Sequence, residues 1–513
     1  MKRLLTGLEA AGRSLLLYVA VTAFLLGAGI LRASREMVHA FDTGIYLQIL
    51  SSLKAAWATN GIQGILDLQS WASSITGENT FLAHHFQPVV ALLLPLYSVF
   101  PSTSVLFFSA WFALGLTAIM LGIHSASLRA ARSPGDQSAG LAADAAGPLF
   151  ICLFPAFAAR LYFGFAPDVL AVPAFALQAI LVNSIVSRGA GALILFAAAQ
   201  LWAGACKEVF WIINGWAALV LALRLVGAGR RSAAMVAFVW GLAQWALFFW
   251  LFLKWMPEHS QHSRYYGLNY IDFKLTALLQ TNWGAVLELL LAAGLPVILL
   301  RPTWAVLLSL PGLAIVILGR FSQIQAPTAV YPLAFAPFFA VILTENLAVL
   351  SGWRWRLSRL LLGAALAAGM ILQMPLFLRS VSPAFGKTAA ALPVDLAVAR
   401  KSIRPGAWLL VDGNLQPAFQ DWQHVRVILG FIGNPAPLGA EDFKRATDVL
   451  TMFDLDQLTS CEEVKPDASD DWAARGVPFH DYEGFQRFCK WLRAVPRQKQ
   501  VYPDSGLVHY HLN

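Results

Sequence analysis

From Leu15 to Leu378 one apolar run follows another, and this succession constrains the chain more than any single motif. A helix needs about 20 apolar residues to cross the hydrocarbon of a bilayer. Backbone N–H and C=O groups left unpaired in lipid are costly, so such runs must be helical. They lie at 14–32, 103–127, 147–165, 169–187, 190–206, 208–226, 233–253, 283–300, 303–319, 330–349 and 358–378, which predicts about eleven spans. The first run has no cleavage pattern after it and reads as a retained span, not a signal peptide. Only 13% of the 513 residues are charged, where a soluble domain carries about 25%.

Charge then orients the spans. Lys2, Arg3 and Arg13 precede the first one and place the N-terminus on the cytoplasmic side. Strict alternation makes 128–146, 188–189, 227–232, 301–302 and 350–357 cytoplasmic, and these loops hold Arg129, Arg132, Arg188, Arg230, Arg231, Arg301, Arg354 and Arg356. The apolar stretch 88–100 is short, contains Pro88 and Pro95, and is followed by Pro101. It reads as a re-entrant or surface-lying helix, because counting it as a span would invert every later loop. The net charge of +8 follows from these basic loops and does not call for nucleic acid.

More than half of the acidic residues lie after Leu378. The expected organisation is therefore a membrane domain over 1–378, including a first extracytoplasmic loop over 33–102, and a soluble extracytoplasmic domain over 379–513. The runs Trp408–Val411 and Val425–Leu429 read as strands, with turn signals at Asp412-Gly413 and Gly433-Asn434. Glu441–Asp454 and Tyr482–Leu492 read as helices, so a small α/β domain is expected. Cys461 and Cys489 lie in this tail, and spacing alone leaves their pairing open.

The polar density of the membrane part gathers on one side. The first outside loop opens with Phe41-Asp42-Thr43-Gly44-Ile45-Tyr46 and closes on Asn79 to Pro88, with His84 and His85 adjacent. Asp168, Lys207-Glu208 and Arg320 each sit at an outside end of a span, and His259, His262, Arg264, Tyr265 and Tyr266 crowd a third outside loop. Charges near membrane depth are costly and usually pair or work. Plainer readings stand beside the functional ones. Asp42 could cap the helix that follows, Asp168 could start a helix, and Lys207-Glu208 could be a local ion pair. The chemical reading is that basic groups hold a phosphate, a carboxylate deprotonates an acceptor hydroxyl, and the helices hold a lipid tail. A divalent metal is a weaker candidate cofactor, since no fixed ligand spacing such as His-Glu-x-x-His occurs.

The Asp42 segment, the Asn79–Pro88 segment with His85, Pro95-Leu96-Tyr97, Gly164-Phe165-Ala166-Pro167-Asp168 with Pro173, and Lys207-Glu208 together resemble a bacterial and archaeal family of membrane proteins (domain of unknown function 2079). That family in turn resembles class C glycosyltransferases (GT-C). The resemblance implies a helical membrane core, a first outside loop with surface helices, a catalytic carboxylate at Asp42 and a second at Asp168. It implies a polyprenyl-phosphate-linked sugar donor, with His84, His85, Lys207, Glu208, His262, Arg264, Tyr265 and Arg320 as substrate-binding candidates. It also implies a multi-pass protein of the bacterial inner membrane. Two positions depart from the family pattern: Ala166 and Val330 stand where the family tends to have His. A transporter or lipid flippase would want inverted repeats and polar residues at mid-bilayer, and no internal repeat is found. A non-catalytic scaffold with the tail as binding module is the third reading.

Overall fold

The computed structural model describes residues 2–35, 43–72, 80–131, 138–184, 190–259, 283–318, 331–411, 415–419, 424–428, 440–452, 454–457 and 482–512. Asp42, His262, Arg264, Tyr265 and Arg320 lie outside the described residues. Among the described residues each of the eleven apolar runs contains helix, and six helices, or seven with one bent pair, are long and apolar enough to cross a membrane. Lys2–Ser34, Ser104–Ala130, Phe210–Gly227 and Gly352–Val381 are single long helices, whereas Ser138–Leu153 and Pro155–Tyr162 meet at a break before Pro155. The two arms of that pair are bent by 57°. The single span expected over 147–165 is thus broken, because proline lacks the N–H a continuing helix needs and its ring clashes with the preceding turn.

Burial separates the inner helices from the outer ones. In Pro167–Ser184 the most apolar window is 83% buried, against 28% in Arg231–His259 and 22% in Gly352–Phe385. The outer pair therefore present large apolar side chains outward, as Leu242, Phe249, Leu360 and Ile371 do. Apolar side chains on that scale belong against lipid. Small residues let the inner helices touch. A Cβ added at Gly29 would lie 2.1 Å from the Leu161 carbonyl oxygen, so the first helix meets Pro155–Tyr162 backbone to backbone.

The stretch after His85 is a 3₁₀ turn, Pro88–Leu93, continued by a short helix, Leu94–Val99. Both are far too short to cross a bilayer. Val89, Val90, Leu94 and Tyr97 are buried, while Leu92, Leu96, Val99 and Phe100 are exposed. The segment thus lies on the bundle with one apolar face inward and another outward.

Beyond Val381 the chain forms a helix, Lys387–Ser402, and then a sheet. The strands are β1 (Leu409–Val411), β2 (Val425–Val427), β3 (Asp448–Thr451), β4 (Arg497–Tyr502) and β5 (Leu507–Leu512), in the order β2-β1-β3-β5-β4. The first three pair in parallel and β5 is antiparallel to both β3 and β4. Alternation divides the side chains between two layers. Leu409, Val411, Leu450 and Leu507 meet Leu392, Leu396 and Ala399 of Lys387–Ser402. Leu410, Val449, Val508 and Tyr510 meet Phe488, Cys489 and Leu492 of the helix Tyr482–Ala494. Cys489 is disulfide-bonded.

One expectation fails here. The helix anticipated over Glu441–Asp454 stops at Arg445, and Asp448–Thr451 is a strand. Val449 and Thr451 are β-branched, and pairing with β1 and β5 buries all four strand residues. Tertiary burial outweighs the mild helical preference of the preceding turn.

Candidate functional site

Four short segments converge at one end of the bundle. They are the start of the helix Ile45–Asn60, the turn Phe81–Gln87, the turn 163–168, and the link 207–209 between Ala190–Cys206 and Phe210–Gly227. The Phe165 amide donates to Thr43 Oγ1 at 3.3 Å. The Tyr46 ring meets Phe81 and Phe165 edge-on, each at 5.6 Å, and its hydroxyl donates to Gln87 Oε1 at 2.9 Å. Arg32, at the end of the first helix, donates to the Tyr162 and Phe163 carbonyls at 2.6 and 2.7 Å. Carbonyls freed at the end of a broken helix need such a donor.

The charged residues form two pairs across this junction, Asp168–Lys207 buried and His85–Glu208 part-buried. Lys207 Nζ donates to Asp168 Oδ1 at 2.8 Å. His85 Nδ1 lies 3.2 Å from Glu208 Oε1, and the Phe86 amide donates to Glu208 Oε2 at 3.1 Å. Asp168, Lys207 and Glu208 are each less than a tenth exposed. Neighbouring Lys207 and Glu208 thus turn to different partners, Lys207 to Asp168 and Glu208 to His85. Asp168 stands in the first turn of Pro167–Ala171, whose cap position is Ala166 with no side-chain hydrogen bond. Lys207 also lies over the Tyr331 ring at 5.2 Å. His84 is buried, stacked on Phe81 at 5.5 Å and edge-on to His85 at 4.8 Å.

Glu208 sits in the turn between two helices. Burial works against its charge, but the charge and hydrogen bond of His85 and the charge of Lys207 outweigh it and hold the carboxyl at about 2, below its ordinary 4.5. A carboxyl lowered by folding contributes stability above its unfolded value and loses that contribution as pH falls through the folded value. The melting-temperature gap between wild type and Glu208→Gln is therefore expected to be full near neutral pH and to close as pH falls from 4.5 toward 2. Thermal unfolding in detergent across that range checks it; a gap independent of pH would mean the carboxylate charge contributes nothing.

The opposite ends of the same helices carry a second polar layer. Glu345 accepts from Asn183 Nδ2 at 2.8 Å and lies 3.0 Å from His124 Nε2, while Arg224 donates to the Asn183 carbonyl at 2.6 Å. Asp144 accepts from Arg13 and Arg129 at 3.0 and 2.6 Å. Sequence reading named none of the Glu345 group, because Glu345 is a single acid inside an apolar run. Asp168 and Asn183 open and close one helical segment, so the two layers stand roughly 20–25 Å apart, close to the thickness of a hydrocarbon core.

Among the described residues, no group of three metal-ligating side chains gathers at the Asp168 end. The one such group is Asp448, His509 and His511, in the sheet domain. His259, flagged in the sequence, is at an exposed helix end with Nδ1 at 2.8 Å from the Trp255 carbonyl.

No family model matches the sequence, and no curated protein matches it. The resemblance to the domain of unknown function 2079 family therefore rests on the motifs alone. Solved structures do match. ArnT from Cupriavidus metallidurans bound to undecaprenyl phosphate superposes with a TM-score of 0.54 at 13% identity, over 96% of this chain and 97% of that one. Its apo state gives 0.51 at 14% identity over the same shares. At such identity the likeness speaks for fold alone, and it extends to both the helical bundle and the terminal sheet: this chain is a multi-pass membrane protein with an ArnT-like fold.

Proposed function

We propose that the chain is a membrane glycosyltransferase of GT-C type that takes its sugar from a polyprenyl-phosphate-linked donor. The observation that carries this is the convergence of the Asp168–Lys207 and Glu208–His85 pairs at the end of an ArnT-like bundle where Thr43 meets the Phe165 turn. Asp42, one residue from Thr43, is the general base. It takes the proton of the acceptor hydroxyl as that oxygen bonds to the sugar's anomeric carbon. The bond from that carbon to the phosphate oxygen breaks, and the electron pair leaves with the polyprenyl phosphate.

Lys207 supplies charge to the leaving phosphate. An ammonium has three donors, so it can hold Asp168 with one and phosphate with another. His84 and His85 shape the site from the first loop and Glu208 from the 207–209 link, and His262, Arg264, Tyr265 and Arg320 complete the anion-binding set. Such preorganised positive charge acts most strongly where water is excluded.

The active end faces away from the cytoplasm in this reading. Arg13, Arg129, Arg224, Arg230, Arg231 and Arg354 lie at the other end, which is the side that basic residues mark as cytoplasmic. The disulfide at Cys489 suits an oxidising compartment for the sheet domain. A bacterial inner membrane with a periplasmic tail meets both conditions.

The test is turnover by the purified protein in lipid nanodiscs with a panel of polyprenyl-phosphate sugars and a membrane-lipid extract as acceptor. Release of free polyprenyl phosphate with one donor is expected. Intact donor throughout the panel would overturn the proposal, and movement of intact labelled donor across vesicles would assign transport instead.

A further inference from the structure

Strand β5 reads Leu507-Val508-His509-Tyr510-His511-Leu512, so His509 and His511 fall on one face of the sheet. Asp448 on β3 is directly opposite His511 in the antiparallel register. His509 Nε2 lies 2.9 Å and His511 Nδ1 2.7 Å from the same oxygen, Asp448 Oδ1. The three ligand atoms all lie within 4.8 Å of one another. His509 is fully buried and Asp448 is 4% exposed, while the His511 side chain is 32% exposed. The cluster is thus rigid on its inner side and open to solvent through His511.

The same face holds further buried polar atoms that have no hydrogen-bond partner: His509 Nδ1, Tyr502 Oη on β4 and Asp395 Oδ2 on the covering helix Lys387–Ser402. Asp395 is near enough to Tyr502 to act on it electrostatically. Buried polar groups are nearly always satisfied, and a set that is not often marks a place where an ion or water belongs.

We propose that Asp448, His509 and His511 form a binding site for a divalent transition metal of the zinc type, with Oδ1, Nε2 and Nδ1 as ligands and the exposed side left for water or a partner's ligand. Two imidazoles and one carboxylate suit zinc and its neighbours, and three protein ligands leave one tetrahedral position open. Bonds of 2.0–2.1 Å put tetrahedral ligand atoms roughly 3.3 Å apart, so the two short contacts to Asp448 need to open by only about half an ångström. Metal on His509 Nε2 moves the ring proton to Nδ1. With no acceptor for it among the described residues, affinity is expected to be about 10–100-fold weaker than in a site with an outward acceptor.

The experiment uses the full chain in detergent, stripped with chelator, reloaded with Zn²⁺ alone and passed through gel filtration. Elemental analysis is expected to find one zinc per chain more in wild type than in His511→Ala, and Zn²⁺ is expected to raise the melting temperature of wild type only. Equal zinc in the two proteins overturns the proposal, leaving a hydrogen-bonded clamp between strands. A second measurement needs no variant: Co²⁺ added to the stripped wild type should give visible d–d absorption that one equivalent of Zn²⁺ bleaches. No absorption likewise overturns it.

Discussion

Asp42→Asn is expected to lower sugar transfer by about 10²–10⁴-fold, the range that a positioned general base supplies, while the protein elutes and melts as wild type does. Asn keeps the shape and loses the basicity. The stability expectation follows from the neighbourhood: Thr43 is buried and bonded to the Phe165 amide, and Tyr46 is packed between Phe81 and Phe165. Those contacts among the described residues hold the start of the Ile45–Asn60 helix. The helix has Gly44 at its cap position, a residue with no side chain to cap it. If Asp42 were a structural cap, the variant would lose about 0.5–2 kcal/mol of stability and keep its turnover per folded molecule. The two readings therefore predict opposite patterns, and a melting curve beside a single-turnover assay separates them. Full activity in the variant would remove Asp42 as the base.

The membrane fold was legible because lipid enforces a simple rule. Runs of about 20 apolar residues must be helices there, although the break before Pro155 divides a run that reads as one span over 147–165. The lying segment 88–99 was legible for the same reason, being too short and too rich in proline to cross. The tail was harder, since in water local preference competes with pairing. Thr447-Asp448-Val449-Leu450-Thr451 followed a convincing helical turn, and only its place between β1 and β5 makes it a strand.

Site residues were legible as residues but not as partners. Lys207 and Glu208 are adjacent in sequence, and nothing in their spacing says that one turns to Asp168 and the other to His85. That choice is made by the turn joining two helices and by where the first loop returns. The His509–His511 pair was missed although it carried a signal. A His-x-His in a strand presents both imidazoles to one side, a spacing unlike the helical His-Glu-x-x-His.

Lys207→Met is expected to destabilise the protein by about 3–5 kcal/mol, because it leaves the Asp168 carboxylate buried without its counter-charge. Asp168 is 3% exposed, so water cannot take over the role of the ammonium. The same substitution should abolish binding of polyprenyl phosphate if Lys207 holds the leaving group, but loss of folding alone would mimic that result. The double variant Asp168→Leu, Lys207→Met resolves the ambiguity. Replacing a buried ion pair with apolar groups of similar size is commonly neutral or stabilising, by up to about 4 kcal/mol, so the double variant should regain the melting temperature lost by the single one. It should not regain lipid-phosphate binding or turnover. A double variant as unstable as Lys207→Met would mean that packing around Tyr331 and the 207–209 turn, not charge, sets the cost. A double variant that recovered both stability and turnover would make Asp168–Lys207 a structural clamp, and the phosphate would then have to be held by other basic groups of the outer loops.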